Sequence, residues 1–162
     1  MRLSHYTRQP LEAVRSIEQS WRYGRPTQYE KPKGLWVSVD GAYDWETWCR
    51  ENEWGLETLK RRYRVVLVED HRVLTLKNTA ALRYFTRRYG RPVEWAGLDA
   101  HYIQWDAVAQ DHQGLVIAPY LGMSWSEHDL SWYYGWDCAS GCLWDAAAVA
   151  RVVEVKQKEK AP

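Results

Sequence analysis

The chain has 162 residues, with 22 Lys and Arg against 21 Asp and Glu, so its formal net charge is +1. This length predicts a single domain with its own hydrophobic core, and the near-neutral charge argues against general avidity for nucleic acid. No run of 18 apolar residues occurs, and the opening MRLSHYT lacks the apolar stretch of a signal peptide, so neither a membrane span nor export is expected.

The first part of the chain predicts, in order, a strand at 1–7, a short helix at 11–21, a turn-rich loop at 22–34, a strand at 34–40 and a helix at 42–55. Alternating residue types indicate the strands, and a spacing of three to four between apolar residues indicates the helices. Asp44 is the expected N-cap of the last helix, and Gly55 its expected end.

The rest predicts strands at 63–70 and 72–78, helices at 79–90 and 102–114, a strand at 115–120, a loop at 123–129, and strands at 131–137, 142–146 and 149–156. Thr79 is the expected start of the first of these helices. Because strands and helices do not alternate regularly, the order predicts an α+β fold with mostly antiparallel pairing. A single domain is expected over 1–156, with a frayed tail at 157–162.

The cysteines and histidines do not predict a metal site. Cys138 and Cys142 are separated by three residues, but a structural zinc site needs four ligands, and the histidines are scattered. An odd number of cysteines, three with Cys49, without an export signal favours reduced thiols and a cytoplasmic location. Nucleotide-binding glycine loops and the Gly-x-Ser-x-Gly elbow are absent, while Cys–His nucleophilic chemistry stays open.

The aromatic composition points to a ligand. There are 11 Trp and 11 Tyr but one Phe, and Trp and Tyr favour clefts and interfaces, although core packing is the alternative use. His5 lies at the end of the first strand, among polar neighbours. The segment KPKGLWVS puts Trp36 and Ser38 on one face of the next strand, where a planar ring could stack and hydrogen-bond.

Two basic clusters, Arg61, Arg62 and Arg64, then Arg83, Arg87, Arg88 and Arg91, fit either a local basic face or a solvated surface. A nucleic-acid-binding protein that uses aromatic stacking is a further option, and its binding to single strands would depend strongly on salt and would not need a nucleotide cofactor.

The chain resembles the small bacterial and phage members of the ADP-ribosyltransferase superfamily in four segments: LSHYT, KPKGLWVS, YIQWDAVAQDHQGLVIAPY and GWDCASGCLWD. The resemblance covers roughly residues 2–150, and the order of the segments is its strongest part. It implies a split fold of two small, twisted, mostly antiparallel sheets with flanking helices, with NAD held between them as substrate.

The resemblance also implies roles for individual residues. His5 would hydrogen-bond the adenosine-side ribose, Tyr6 would hold the nicotinamide carboxamide through its backbone, and Trp36 would stack on the nicotinamide ring. Thr7 and Ser38 would add polar contacts to NAD.

The third motif departs from the family pattern, because Ser140 stands where a glutamate is usual. Asp137, three residues earlier, is the candidate acid that stabilises the oxocarbenium-like transition state, with His5 beside it as a catalytic residue. Asp145 is the weaker candidate, and a simple turn-capping role for Asp137 stays open. Tyr133 and Trp136 are expected to form one wall of the nicotinamide cleft, with Ser140 nearby.

The function implied is transfer of ADP-ribose from NAD to a protein or nucleic acid by a monomeric phage or bacterial effector or toxin, without a metal or membrane partner. The alternative is a non-catalytic module of the same fold that binds NAD or a partner and inhibits by contact. The sequence does not rank the acceptors, because surface loops such as 22–33 and 119–131 would select them.

Overall fold

A computed structural model describes residues 1–21, 27–41, 43–93 and 100–156. The strands are β1 (Leu3–Thr7), β2 (Leu35–Val39), β3 (Arg61–Leu67), β4 (Val73–Leu76), β5 (Gly90–Pro92), β6 (His101–Ile103), β7 (Gly114–Ile117), β8 (Ser140–Leu143) and β9 (Val149–Val155). The helices are α1 (Trp45–Glu51), α2 (Thr79–Tyr89) and α3 (Trp105–Asp111). The predicted tail at 157–162 lies outside the described residues.

Seven strands form one sheet in the order β4-β7-β8-β2-β1-β3-β9, and β5 and β6 pair as a separate two-stranded sheet. All pairs are antiparallel except β4 with β7. The α+β class and the mostly antiparallel pairing are therefore confirmed. The expectation of two small sheets is wrong in its proportions, because one sheet has seven strands and the other has two.

Helices α1 and α2 each begin after a residue whose side chain caps the helix N-terminus. Asp44 caps α1 by accepting a hydrogen bond from the Thr47 N–H at 3.0 Å, as the sequence predicts. Helix α2 begins at Thr79, as the sequence predicts. Its capping residue is Asn78, whose side chain accepts a hydrogen bond from the Ala81 N–H at 2.9 Å.

The predicted helix at 11–21 is wrong, because this segment has no regular secondary structure. Its backbone and side chains are held by tertiary hydrogen bonds instead: the Ile17 N–H donates to the Trp144 carbonyl at 2.8 Å, and the Gln19 side chain bonds both backbone groups of Lys33. Ile17 is 42% exposed, so the apolar spacing does not mark a buried helical face.

The strand predicted at 131–137 is also wrong, because His128–Gly135 forms a 3₁₀ helix. Leu130, Tyr133 and Trp136 are all buried at three-residue spacing, which is the period of a 3₁₀ helix. In a strand, Tyr133 and Trp136 would lie on opposite faces, and Trp136 would share a face with Tyr134. In the structure Tyr133 and Trp136 are both buried, whereas Tyr134 is 55% exposed.

Two buried clusters hold the sheet. The larger joins α2, α3 and the 3₁₀ helix to β7 and β8, and it contains Phe85, Trp105, Trp132 and Trp144. The smaller lies among β1, β2, β3 and β7. Tryptophan thus serves the core extensively, which leaves only a subset of the aromatic residues for a ligand.

Candidate functional site

The candidate site is a cavity of about 370 Å³, here called the aromatic cavity. Its walls include residues 4–6 of β1, residues 36–38 of β2 and the segment around Asp137 that leads into β8. This volume falls within the range of small-molecule sites, roughly 300–1,000 Å³.

Strand pairing brings these distant segments together. Ser38 of β2 lies opposite Ser4 of β1 on one side and opposite Ser140 of β8 on the other. The β1–β2 register consists of Leu3 with Val39 and Ser4 with Ser38, whereas β1 pairs with β3 along all five residues. The cavity lies along the part of β1 that follows this short register.

His5 bridges the two strands beyond that register. Its Nδ1 lies 2.8 Å from the Trp36 carbonyl oxygen, and since a carbonyl only accepts, Nδ1 carries the proton. Burial lowers the pKa of His5, and the hydrogen bond to Trp36 opposes that effect. At neutral pH the ring is therefore uncharged, with Nε2 as a hydrogen-bond acceptor.

Tyr6 is held by its neighbours on two sides. Its hydroxyl donates to the Glu46 carboxylate at 3.4 Å, and the Arg62 guanidinium lies 5.6 Å from its ring centroid. Burial raises the pKa of Tyr6, partly offset by Arg62, so the phenol stays protonated. Arg62 is itself fixed by Asp40 at 2.8 Å and by the Ser4 hydroxyl at 3.0 Å.

Trp36 is half-buried and contacts a cation. The Lys31 ammonium lies 5.4 Å from the centroid of the Trp36 ring, and the Trp136 ring lies 5.3 Å from it at an interplanar angle of 57°. Gly135 makes room for the lysine, because a Cβ added there would overlap the Lys31 side chain. A planar ligand that stacks on the Lys31 side of this ring has to displace the ammonium.

Asp137 is the carboxylate of the cavity wall. Burial raises its pKa, and the positive charge of Lys31 opposes the rise. The group is thus a partly desolvated acid next to one cation, an environment in which electrostatic interactions are stronger than in water.

Two predicted serines line the cavity with their hydroxyls already engaged. The Ser38 oxygen accepts from the Trp45 N–H at 2.8 Å and so anchors the start of α1. The Ser140 hydroxyl donates to the Cys138 carbonyl at 3.1 Å. Ser38 keeps its own proton for a ligand, whereas Ser140 offers mainly its lone pairs.

Three residues predicted for NAD do not line the cavity. Thr7 accepts from the Gln9 N–H at 3.2 Å, beyond the lining part of β1. Tyr133 and Trp136 are 0% and 1% exposed, and the Tyr133 hydroxyl accepts from Leu121 N–H at 3.1 Å. The expectation that these two form a cleft wall is corrected, since the 3₁₀ helix turns both inward and Trp136 packs behind Trp36.

Asp145 lies away from the cavity. Its carboxylate accepts from the Gln113 side chain at 2.8 Å, from the Ala147 N–H at 2.9 Å and from the Ser16 hydroxyl at 3.2 Å. These bonds make it a structural acceptor in the turn between β8 and β9.

Sequence reasoning missed the wall contributed by α1 and the turn after it. Trp45 stacks on Trp48 with centroids 5.1 Å apart, and Trp54 stands edge-on to both. Trp45 and Trp54 line the cavity, and Trp54 is 60% exposed at its rim. Trp45 also donates to the Thr58 hydroxyl at 2.9 Å. The repeated tryptophans of WETWCRENEW were the available signal.

The cysteines are free thiols, all buried. Burial raises the pKa of Cys138 to about 12, and it also raises the pKa of Cys142, so both are protonated and weak nucleophiles. Within residues 1–21, 27–41, 43–93 and 100–156, no three His, Cys, Asp or Glu side chains are grouped to hold a metal ion. No helix in the described part of the chain is both long and apolar enough to cross a membrane.

Comparison of the chain with protein-family models, with curated proteins and with solved structures finds no match.

Proposed function

We propose that the aromatic cavity binds NAD and that the protein transfers its ADP-ribose to a macromolecular acceptor. The observation that supports this proposal is the convergence of His5, Trp36 and Asp137 on one cavity, although they come from three distant parts of the sequence. The resemblance assigns His5 to ribose binding and Trp36 to ring stacking, and Asp137 is the candidate acid in place of the usual glutamate.

In the proposed reaction, the glycosidic bond between the nicotinamide nitrogen and ribose C1′ breaks. Its electron pair leaves with neutral nicotinamide, and positive charge develops on the ribose. An acceptor oxygen or nitrogen then forms the new bond to C1′ and loses its proton to a base or to water. A carboxylate close to C1′ lowers the energy of this transition state through its charge.

The described residues divide these tasks. Neutral His5 accepts a hydrogen bond from a ribose hydroxyl at Nε2, because Nδ1 is committed to the Trp36 carbonyl. Trp36 supplies the stacking surface once Lys31 moves aside, and Asp137 supplies the negative charge. Tyr6 contributes backbone groups to the carboxamide, while its side chain stays bound to Glu46.

A second candidate function is binding without catalysis, in which the domain binds NAD or a partner and acts by contact. Two observations favour it. Ser140, whose hydroxyl is engaged with the Cys138 carbonyl, occupies the position where the resemblance expects a glutamate. Lys31 also offsets part of the charge of Asp137.

The test measures NAD affinity by calorimetry and nicotinamide release by chromatography for the wild type and Asp137→Asn. Removing the charge is expected to lower the release rate by about 10²–10³ and to change the NAD dissociation constant less, because the positive charge moves from the nicotinamide ring to the ribose only in the transition state. Asp145→Asn is the control, since it makes the same chemical change outside the cavity.

Each outcome has a distinct meaning. Wild-type protein that binds NAD but releases no nicotinamide is the non-catalytic module. Wild-type protein that does not bind NAD refutes the proposed ligand. Loss of release in Asp145→Asn with retention in Asp137→Asn refutes the assignment of the acid.

A further inference from the structure

A second concavity lies at the far end of β1, where β1, β3 and β9 meet. It has a volume of about 460 Å³ and is here called the basic groove. Four of its lining side chains are cationic and one is anionic: Arg8, Lys60, Arg61, Lys156 and Glu154. The aromatic cavity does not use any of them.

Within the described part of the chain, most of this positive charge has no ion-pair partner. Arg61 pairs with Glu154 at 2.7 Å across the β3–β9 pairing. Arg8, Lys60 and Lys156 form no ion pair with any described residue. Three cations facing one concavity repel each other, and a bound anion relieves that repulsion.

The basic groove and the aromatic cavity share two segments of chain. Tyr6 of β1 lines the cavity, and Arg8, in the bend that follows the end of β1 at Thr7, lines the groove. In the 3₁₀ helix Leu56–Lys60 that precedes β3, Thr58 lines the cavity and Lys60 lines the groove. Cationic side chains that can contact phosphates and aromatic rings that can stack on bases therefore lie next to each other.

We propose that the basic groove binds the phosphates of a single-stranded nucleic acid, one base of which stacks on Trp54 at the rim of the aromatic cavity. A cationic groove beside exposed aromatic rings is the combination by which proteins bind single strands. A duplex does not fit this arrangement, because its bases are stacked inside and unavailable to Trp54. The proposal names the acceptor of the proposed transfer, and in that role alone it rests on the proposed function.

Trp54 suits the base better than Trp36 does. It is 60% exposed, whereas Trp36 is half-buried and contacted by Lys31. It also stands edge-on against the Trp45–Trp48 stack, which holds the indole in place before a base arrives.

The test uses fluorescence anisotropy of a labelled 12-nucleotide single strand of mixed sequence over a series of salt concentrations, with NAD absent. Three phosphate contacts predict a slope of log affinity against log salt of about −2, since each contact to a single strand contributes about −0.7. Arg8→Gln, Lys60→Gln and Lys156→Gln are each expected to reduce the slope by about 0.7. Lys77→Gln, an exposed lysine that lines neither site, is expected to leave it unchanged.

The stacking part has its own variant. Trp54→Ala is expected to weaken binding about 5- to 150-fold while leaving the salt slope unchanged, which corresponds to the loss of one stacked base. Tyr84→Ala is the control, because this tyrosine is 62% exposed and lines neither site.

Competitors distinguish other anions. Binding of a polyglutamate peptide as tight as that of the oligonucleotide refutes a nucleic-acid partner in favour of an acidic protein. If inorganic pyrophosphate binds as tightly as the oligonucleotide, the groove is a site for free phosphates and the nucleic-acid proposal is refuted. If a duplex binds as tightly as the single strand, the proposed stacking of a base on Trp54 is refuted. A salt slope that the three charge variants leave intact refutes the groove. Because NAD is absent throughout, failure of the NAD proposal leaves all of these results interpretable.

Discussion

Two buried tryptophans of the same 3₁₀ region differ in one respect that can be measured. Trp132 is 2% exposed and donates its Nε1–H to the Thr86 hydroxyl at 2.8 Å. Trp136 is 1% exposed, and its Nε1 has no hydrogen-bond partner among the described residues. Replacing each with Phe removes the same atoms from an equally buried position.

The difference between the two variants therefore isolates the polar contribution. The costs of lost burial and of the cavity left behind are similar for both replacements. Trp132→Phe also loses a hydrogen bond worth about 0.5–1.5 kcal/mol, while Trp136→Phe removes an unpaired N–H whose burial costs about 1–3 kcal/mol. Trp132→Phe is expected to be more destabilising than Trp136→Phe by about 2–4 kcal/mol.

Urea unfolding followed by far-ultraviolet circular dichroism gives both free energies, and equal m-values ensure that the two are comparable. A cost for Trp136→Phe that equals or exceeds that of Trp132→Phe refutes the reasoning, since it means that the Trp136 N–H has a partner such as a buried water.

Two further predictions concern Lys31 and His5. Lys31→Met keeps the side-chain stem but removes the charge over Trp36, so NAD is expected to bind about 2- to 5-fold more tightly, as calorimetry can measure; weaker binding would mean that the ammonium contacts the ligand. Burial lowers the pKa of His5 and of His112 below the ordinary value of about 6.5, so the unfolded chain takes up these protons at a higher pH than the folded protein does. The free energy of unfolding is therefore expected to fall between pH 7.5 and pH 5.5 and to fall less in His5→Gln, as urea titrations at both pH values would reveal; an equal fall in that variant contradicts the role of His5.

Local patterns located the strands that carry the site. The alternation of residue types around His5 and the glycine before Leu35 located β1 and β2 correctly, because strand alternation and turn residues are strong local signals. That these two strands are neighbours is not visible in their local patterns, since strand pairing is decided by the whole sheet. Lys31 was missed for the same reason: a loop residue shows nothing in the sequence about which ring it will cover.

Period was the main source of error. The segment around Trp132 and Tyr133 is rich in residues that favour strands, yet Trp132 and Tyr133 are adjacent and both buried, and Leu130, Tyr133 and Trp136 recur at the spacing of a 3₁₀ helix. The prediction that Tyr133 and Trp136 face a ligand was wrong for the same reason, because both side chains are buried in the core. In the segment 11–21, backbone bonding to distant residues such as Trp144 outweighed a weak helical spacing.

The short register between β1 and β2 has a mechanical consequence. Strands β4, β7, β8 and β2 form one plate, strands β1, β3 and β9 form another, and the seam between the plates has two paired positions and the His5 ring. The Asp40 N–H also donates to the Arg2 carbonyl across this seam at 3.0 Å, and the seam has fewer paired residues than any other pair of neighbouring strands in the seven-stranded sheet. A ligand in the aromatic cavity contacts residues of both β1 and β2. Such a ligand adds contacts between the two plates at the most sparsely paired position of the sheet.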